Sequence, residues 1–383
     1  MDRGDATTTL KLKLVEETAR RFAAERLDRT RQQLPARSRP AKNLCAAFGE
    51  LGLGLAPLPT RLGGLELGAA AACQIAQLLA AGDPALAFAL PQPGAFAELM
   101  LLLGNSAQQV EWLDSFGKAP DRTWGAVAVA QVEAPTVFAT PDGTGWLIHG
   151  SIGHVWHTGV ADRLLLIADA GPAGRQGFVL PLPCRGVSIA PQPLDGGLEA
   201  ATCGVLTFSA VHIAAEQHLD GRNAKGNDDA IGISGTEAAL RVFYARQGLR
   251  MASYAVVAAL SAARYTLNFA EERRAAGNPI EHYNVLGFLL ADMHLACEAS
   301  AEQLIAVAAT GAGRDDAESV AAMVRARQEA DSVALSVVDS ADNILTDLGH
   351  APGHPVKTWL ADVKALARWG KPPPKPRQRR ARA

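Results

Sequence analysis

Aromatic residues are scarce in this chain, at 5% of 383 residues. That rules out a core built mainly on large rings and favours close helix packing through the abundant alanine. The five cysteines, at positions 45, 73, 184, 203 and 297, have no paired spacing. A disulfide framework is therefore not expected, and free thiols in a reducing, cytoplasmic setting are the plain reading. Uninterrupted apolar stretches long enough to span a bilayer are missing, so no membrane association is expected. The opening MDRGDATTTLKLKLVEETARRF also lacks the apolar run of a secretion signal. A formal net charge of -2 gives no global attraction to nucleic acid.

What is present is helix. From Glu237 to about Arg274 there is no proline, and Leu249, Ala252, Val256, Leu260, Ala263 and Leu267 recur at three- and four-residue spacing. This predicts one long amphipathic helix with much of its girth covered. Gly277 and Pro279 stop it, and a second helix starts near Glu281. Upstream, helices are expected over residues 8–32, from Ala41 to the Gly52 and Gly54 break, from Glu66 to Ala81, and after Asp83-Pro84. One more begins at Asn105-Ser106, with Gln109 three residues after Ser106 in capping-box position.

The texture changes near Thr123. WGAVAVAQV, GWLIHGS, ADRLLLIADAG, GRQGFVLPL, GVSIAPQPL and ATCGVLTFSAVHI are short β-type runs separated by turn signals. No helix-length segment intervenes, so an antiparallel sandwich or barrel is expected rather than βαβ units. The predicted fold is α+β and multidomain. Residues 1–122 form a helical domain, 123–228 the β domain, 229–370 a four-helix bundle, and 371–383 a basic proline-rich tail.

Three segments carry a family likeness. PTRLGGLELG (59–68) resembles a proline-x-x-tyrosine-glycine-glycine turn, with Leu62 at the aromatic position. LLLGNSAQQVEWL (101–113) resembles a glycine-x-x-x-glutamine segment, and EERRAAGNPIEHYNVLGFLLADM (271–293) an arginine turn followed by an alanine-aspartate-methionine helix. With the order helices, β domain, bundle, the chain resembles the acyl-CoA dehydrogenase family over roughly residues 10–370. The resemblance implies FAD between the β domain and the C-terminal helices, partly held by a neighbouring subunit. It also implies an acyl-CoA thioester against the flavin, and a glutamate that takes the α-proton while hydride passes to flavin N5.

Carried over residue by residue, the resemblance makes Arg273 the contact to a FAD pyrophosphate, through paired guanidinium bonds; a solvated arginine at a helix end is the bland reading. Gln131 falls in the flavin-facing threonine-glutamate-proline segment. His154 and Trp156 fall in the tryptophan-isoleucine-threonine segment, where they either meet a flavin ring or fill its place. Asn343 to Gly349 matches a glycine-rich segment whose inner glycines are here Thr346 and Asp347, and Tyr283 stands where a glutamine is usual. The two places where relatives keep the base are Gly370 and Gln247, so no catalytic residue is assigned. His149, His154 and His157 lack the acid or cysteine that would complete a metal pattern.

Three functions remain open. One is the base-less chain of a heteromeric enzyme, a dimer or tetramer with a homologous subunit carrying the glutamate, and with an electron-transfer flavoprotein as a further partner. Another is a self-sufficient dehydrogenase whose base is Glu237, Glu271, Glu272 or Asp362. The last is a non-enzymatic scaffold that binds acyl-CoA or protein.

Overall fold

A computed structural model describes residues 3–28, 39–119, 123–133, 135–192, 196–220, 235–272, 274–275, 278–279, 284–311, 314–347 and 354–370. Helix α1 (Arg3–Phe22) runs on to Leu27 through a π-helical turn. Then come α2 (Lys42–Glu50), α3 (Gly68–Ala80), α4 (Pro84–Ala89), α5 (Gly94–Leu103) and α6 (Ser106–Lys118). Asp83 caps α4 by accepting the Leu86 N–H at 2.7 Å, with Pro84 in the first turn, where its missing N–H costs nothing. The capping box of α6 sits one residue earlier than expected. Asn105 is the cap and Gln108 reaches back to its backbone, while Gln109 bonds the Gly104 and Leu101 carbonyls instead. Asn105 has the extended backbone a cap needs, and Ser106 is already helical.

The strands are β1 (Gly125–Val129), β2 (Val137–Pro141), β3 (Gly145–Trp156), β4 (Arg163–Asp169), β5 (Arg175–Pro181), β6 (Val187–Pro191), β7 (Cys203–Ala214) and β8 (His218–Leu219). They form one sheet in the order β6-β7-β3-β2-β4-β5-β8, with β1 also on β4. The sheet is mixed rather than wholly antiparallel, because β1 lies parallel to β4 from Gly125↔Arg163 to Val129↔Ile167. The chain reverses from β2 to β3 and again from β3 to β4, so β4 returns in the direction of β1 and also meets β2 in parallel at Phe138↔Asp169. Turn signals alone register the hairpins and miss this pairing.

One face of the bent sheet encloses its own core, with Val137, Ile148, Leu164, Leu166, Phe178 and Leu206. The other face of β4 and β5 sets Leu165, Ile167 and Val179 against Phe96, Leu99 and Leu103 of α5. A strand covered on both sides explains why Leu164–Ala168 reads as an unbroken apolar run.

The bundle consists of α7 (Gly235–Glu272), α8 (Asn284–Thr310), α9 (Ala317–Asp347) and α10 (Val356–Arg368). The centre of α7 is buried almost all round, with Ala252, Ala255, Ala258, Ala259, Ala262 and Ala263 inside. Small side chains there let neighbouring helices approach closely. Helix α7 ends at Glu272, close to the expected stop. Gly277, the expected helix start at Glu281, Tyr283 and the tail from Lys371 lie outside the described residues. Among the described residues no helix is long and apolar enough to cross a membrane.

Candidate functional site

Two contacts fasten the sheet to the bundle. On β5, Arg175 grips Glu237 of α7 through Nε and Nη2, at 2.7 and 2.6 Å, and its Nη1 donates to the Ala130 carbonyl at 2.9 Å. On α10, Asp362 accepts the Leu198 N–H at 2.6 Å. Gly197, at φ +85, lies so close to α10 that a Cβ would run into the Ala361 carbonyl. Burial pushes the Asp362 carboxyl up to about 7, against the lowering effect of the Leu198 bond and with Asp83 and Glu199 adding to the rise.

A cleft of about 70 Å³ opens where β1, the end of β3, the start of α5 and the middle of α7 meet. Its β3 wall is shaped by a bulge. Ile152 pairs with Leu206 and Val155 with Gly204, so β3 carries one extra residue there. His154 takes it up at φ +58. A bulge re-aims the side chains that follow. The His154 side chain is exposed and bonded to Gln192 at 3.0 Å, whereas Trp156 lines the cleft and meets Phe88 edge-on at 5.2 Å. His157, at φ +65, packs on the same Phe88 ring at 5.1 Å, and Tyr254 meets it edge-on at 6.2 Å. Burial, and then the nearby Arg250, push the His157 imidazole down to about 4, so it is neutral at pH 7.

Of the residues expected to touch a cofactor, Trp156 alone among those described lines the cleft. Gln131 is exposed just beyond β1, His154 points away, and Asn343 is exposed on α9. Arg273 and Gly349 lie outside the described residues.

Of the two expected base positions, Gln247 lines the cleft and Gly370 is the residue after the lining Trp369. Gln247 lines it and donates to Glu98 Oε2 at 3.0 Å. Glu98 also takes Arg246 at 3.1 Å, and Arg246 reaches Asp315 at 2.6 Å. Trp369 lines the cleft, and Gly370 follows it at φ +70. A Cβ at 370 would stand 3.1 Å from Tyr244. Beneath, Arg327 donates to the Trp369 carbonyl at 2.6 Å and crosses Gly248, where a Cβ would lie 2.6 Å from Arg327 Cδ. The acids suggested as relocated bases are elsewhere. Glu237 and Asp362 are the two fasteners of sheet to bundle, and Glu271 and Glu272 are exposed. Among the described residues, no carboxylate lines the cleft.

Sequence reasoning missed Glu98 and Arg250, though each leaves a signal. Glu98 is the sole charge in the apolar run AFAELMLLL, and Arg250 is the last charge before an uncharged stretch reaching Ala263. Single charges in such settings are either paired or functional.

The cleft does not fit a flavin ring in this arrangement. A cavity of roughly 150 Å³ holds a benzene, and this one is about 70 Å³. Trp156 and His157 pack against Phe88 at 5.2 and 5.1 Å in the wall of the cleft. The chain is therefore assigned no step of flavin chemistry.

Known proteins resemble the chain throughout its length. Residues 9–118 match the model of the acyl-CoA dehydrogenase N-terminal domain, and residues 233–370 that of the C-terminal domain. Benzylmalonyl-CoA dehydrogenase of Aromatoleum aromaticum is 24% identical over 367 residues, covering 94% of both chains. Among solved structures, butyryl-CoA dehydrogenase of Megasphaera elsdenii superposes with a TM-score of 0.81 at 20% identity, over 94% of each chain. A glutaryl-CoA dehydrogenase of Mycobacterium smegmatis in complex with FADH2 superposes at 0.79 and 16% identity, over 96% of this chain and 91% of that one. With both terminal domains matched and the same succession of helices, sheet and bundle, this chain belongs to the acyl-CoA dehydrogenase family.

Proposed function

We propose that the chain is the subunit without a base in a heteromeric acyl-CoA dehydrogenase, one that desaturates a fatty-acyl or steroid side-chain thioester. One observation carries the reading: Gln247 lines the cleft and Gly370 follows the lining residue Trp369, neither is an acid, and among the described residues no carboxylate lines the cleft. The α-proton of a thioester is weakly acidic, and its removal needs a carboxylate held close in a dry pocket. A homologous partner supplies that glutamate, acyl-CoA and FAD bind at the partner's open cleft, and an electron-transfer flavoprotein accepts the electrons. This chain supplies scaffold and interface. Arg273, the residue after α7, is its contribution to the partner's FAD pyrophosphate.

The surface supports this assembly. Helix α8 exposes Val285 at 84%, Phe288 at 71% and Leu295 at 63%. Large side chains this bare on one helix mark a face that another chain covers. The test is purification from the native host. Co-purification with a glutamate-bearing homologue, with flavin absorbance and dye reduction by the complex, is expected. An active, flavin-loaded homo-oligomer overturns the proposal.

A further inference from the structure

The cleft holds a cation without a counter-ion. Arg250 lines it, and its hydrogen-bond partner there is the neutral Gln92, whose Oε1 accepts from Nη2. Among the described residues no carboxylate pairs with it. Glu98, the nearest candidate, is already bonded to Arg246 and Gln247. His157 is neutral at pH 7 and so leaves the local charge at that of Arg250. Gly94, at φ +41, brings backbone against the guanidinium, and a Cβ there would lie 3.0 Å from Nη1. The opposite walls are apolar: Phe88, Trp156, Tyr254 and Trp369. An unpaired, half-buried cation is costly in a folded chain unless something neutralises it.

The geometry points to a binding site for a free short-chain aliphatic carboxylate. Its carboxylate takes the Arg250 guanidinium, and its one- or two-carbon tail lies among the rings. Size limits the class to the smallest acids, since a cleft of about 70 Å³ is about half of the roughly 150 Å³ cavity that holds the six carbons of benzene. Guanidinium and carboxylate match in charge and in paired-donor geometry. No bond is made or broken. The lining residues named here belong to this chain, so titration of the chain by itself reads the site without reference to the proposed partner.

The test is a fluorescence titration of the full-length chain, because Trp156 and Trp369 report on the cleft directly. Sodium propionate is added at pH 7 and constant ionic strength, with propionamide and inorganic phosphate in parallel. Propionate is expected to saturate in the millimolar range, as so small a ligand allows. Propionamide and phosphate are each expected to bind at least about tenfold more weakly, a difference that one charge-assisted pair supplies. Arg250→Gln loses the response, and Arg250→Lys retains part of it. The site is disproved if propionate fails to saturate, if propionamide or phosphate binds as well, or if Arg250→Gln titrates like the wild type. The comparison of the three ligands needs the wild-type chain alone, so a variant that does not fold leaves the test intact.

Discussion

Helix α7 carries two arginine contacts of opposite kind. Near its start, Glu237 meets Arg175 with both oxygens, and the fastener is electrically closed. Less than four turns on, Arg250 faces the cleft with a neutral amide for company. The first arrangement holds two domains together. The second leaves attraction unspent, as a binding site does and a scaffold does not. The same contrast separates Asp362, a carboxyl buried to secure a loop, from Gln247, a neutral amide that faces the cleft.

The largest effect expected is at the Asp362 fastener. Its folded carboxyl keeps a proton up to about pH 7, while the unfolded one loses it near 3.8. Between those values the folded state binds more protons, so stability falls as pH rises through that window and the penalty is complete above it. Asp362→Asn keeps an acceptor for Leu198 and removes the penalty. It should raise stability at pH 8 by on the order of 2–4 kcal/mol and leave it little changed at pH 4, as read from urea midpoints at the two values. A pH-independent difference would show that the carboxyl is not held neutral.

Next comes Glu237→Ala, which strands a largely buried guanidinium and should cost about 2–3 kcal/mol in urea unfolding. Gln247→Glu sets a second carboxylate about 3 Å from Glu98. One of the two then holds its proton to higher pH, so this variant loses roughly 1–2 kcal/mol between pH 5 and pH 8. Adding Glu98→Gln should restore the wild-type profile. The smallest effect is expected for Arg250→Met, within about 1 kcal/mol of wild type, because no counter-charge is left stranded. If it costs as much as Glu237→Ala, the contrast between fastener and cleft fails.

Much of the fold was legible because it rests on local periodicity. The alanine-rich helices and the shorter β-type runs each declare themselves within a single local window. The parallel pairing of β1 with β4 is a relation between distant segments, and no turn signal encodes it. The cleft divides the same way. Gln247 and Gly370 were expected from the resemblance, and the fold sets Gln247 and Trp369, the neighbour of Gly370, in the wall of one cavity. The bonds from Glu98 to Gln247 and from Arg250 to Gln92 span about 150 residues, so neither pair is visible in any window of sequence. His154 was expected to meet a flavin ring or fill its place; it is exposed and bonded to Gln192, and the bulge at 154 separates it from Trp156 in the cleft wall.

That turn on β3 has an evolutionary reading. Along a strand, parity decides what points inward, so an insertion of one codon reverses the assignment for every position after it. Substituting His154 alters one exposed ring, whereas deleting it would exchange the inward and outward sides of the strand's end and withdraw Trp156 from the cavity. Segment length, more than residue identity, therefore sets what this cavity can admit, and relatives are best compared across residues 150–160 by counting insertions before matching letters.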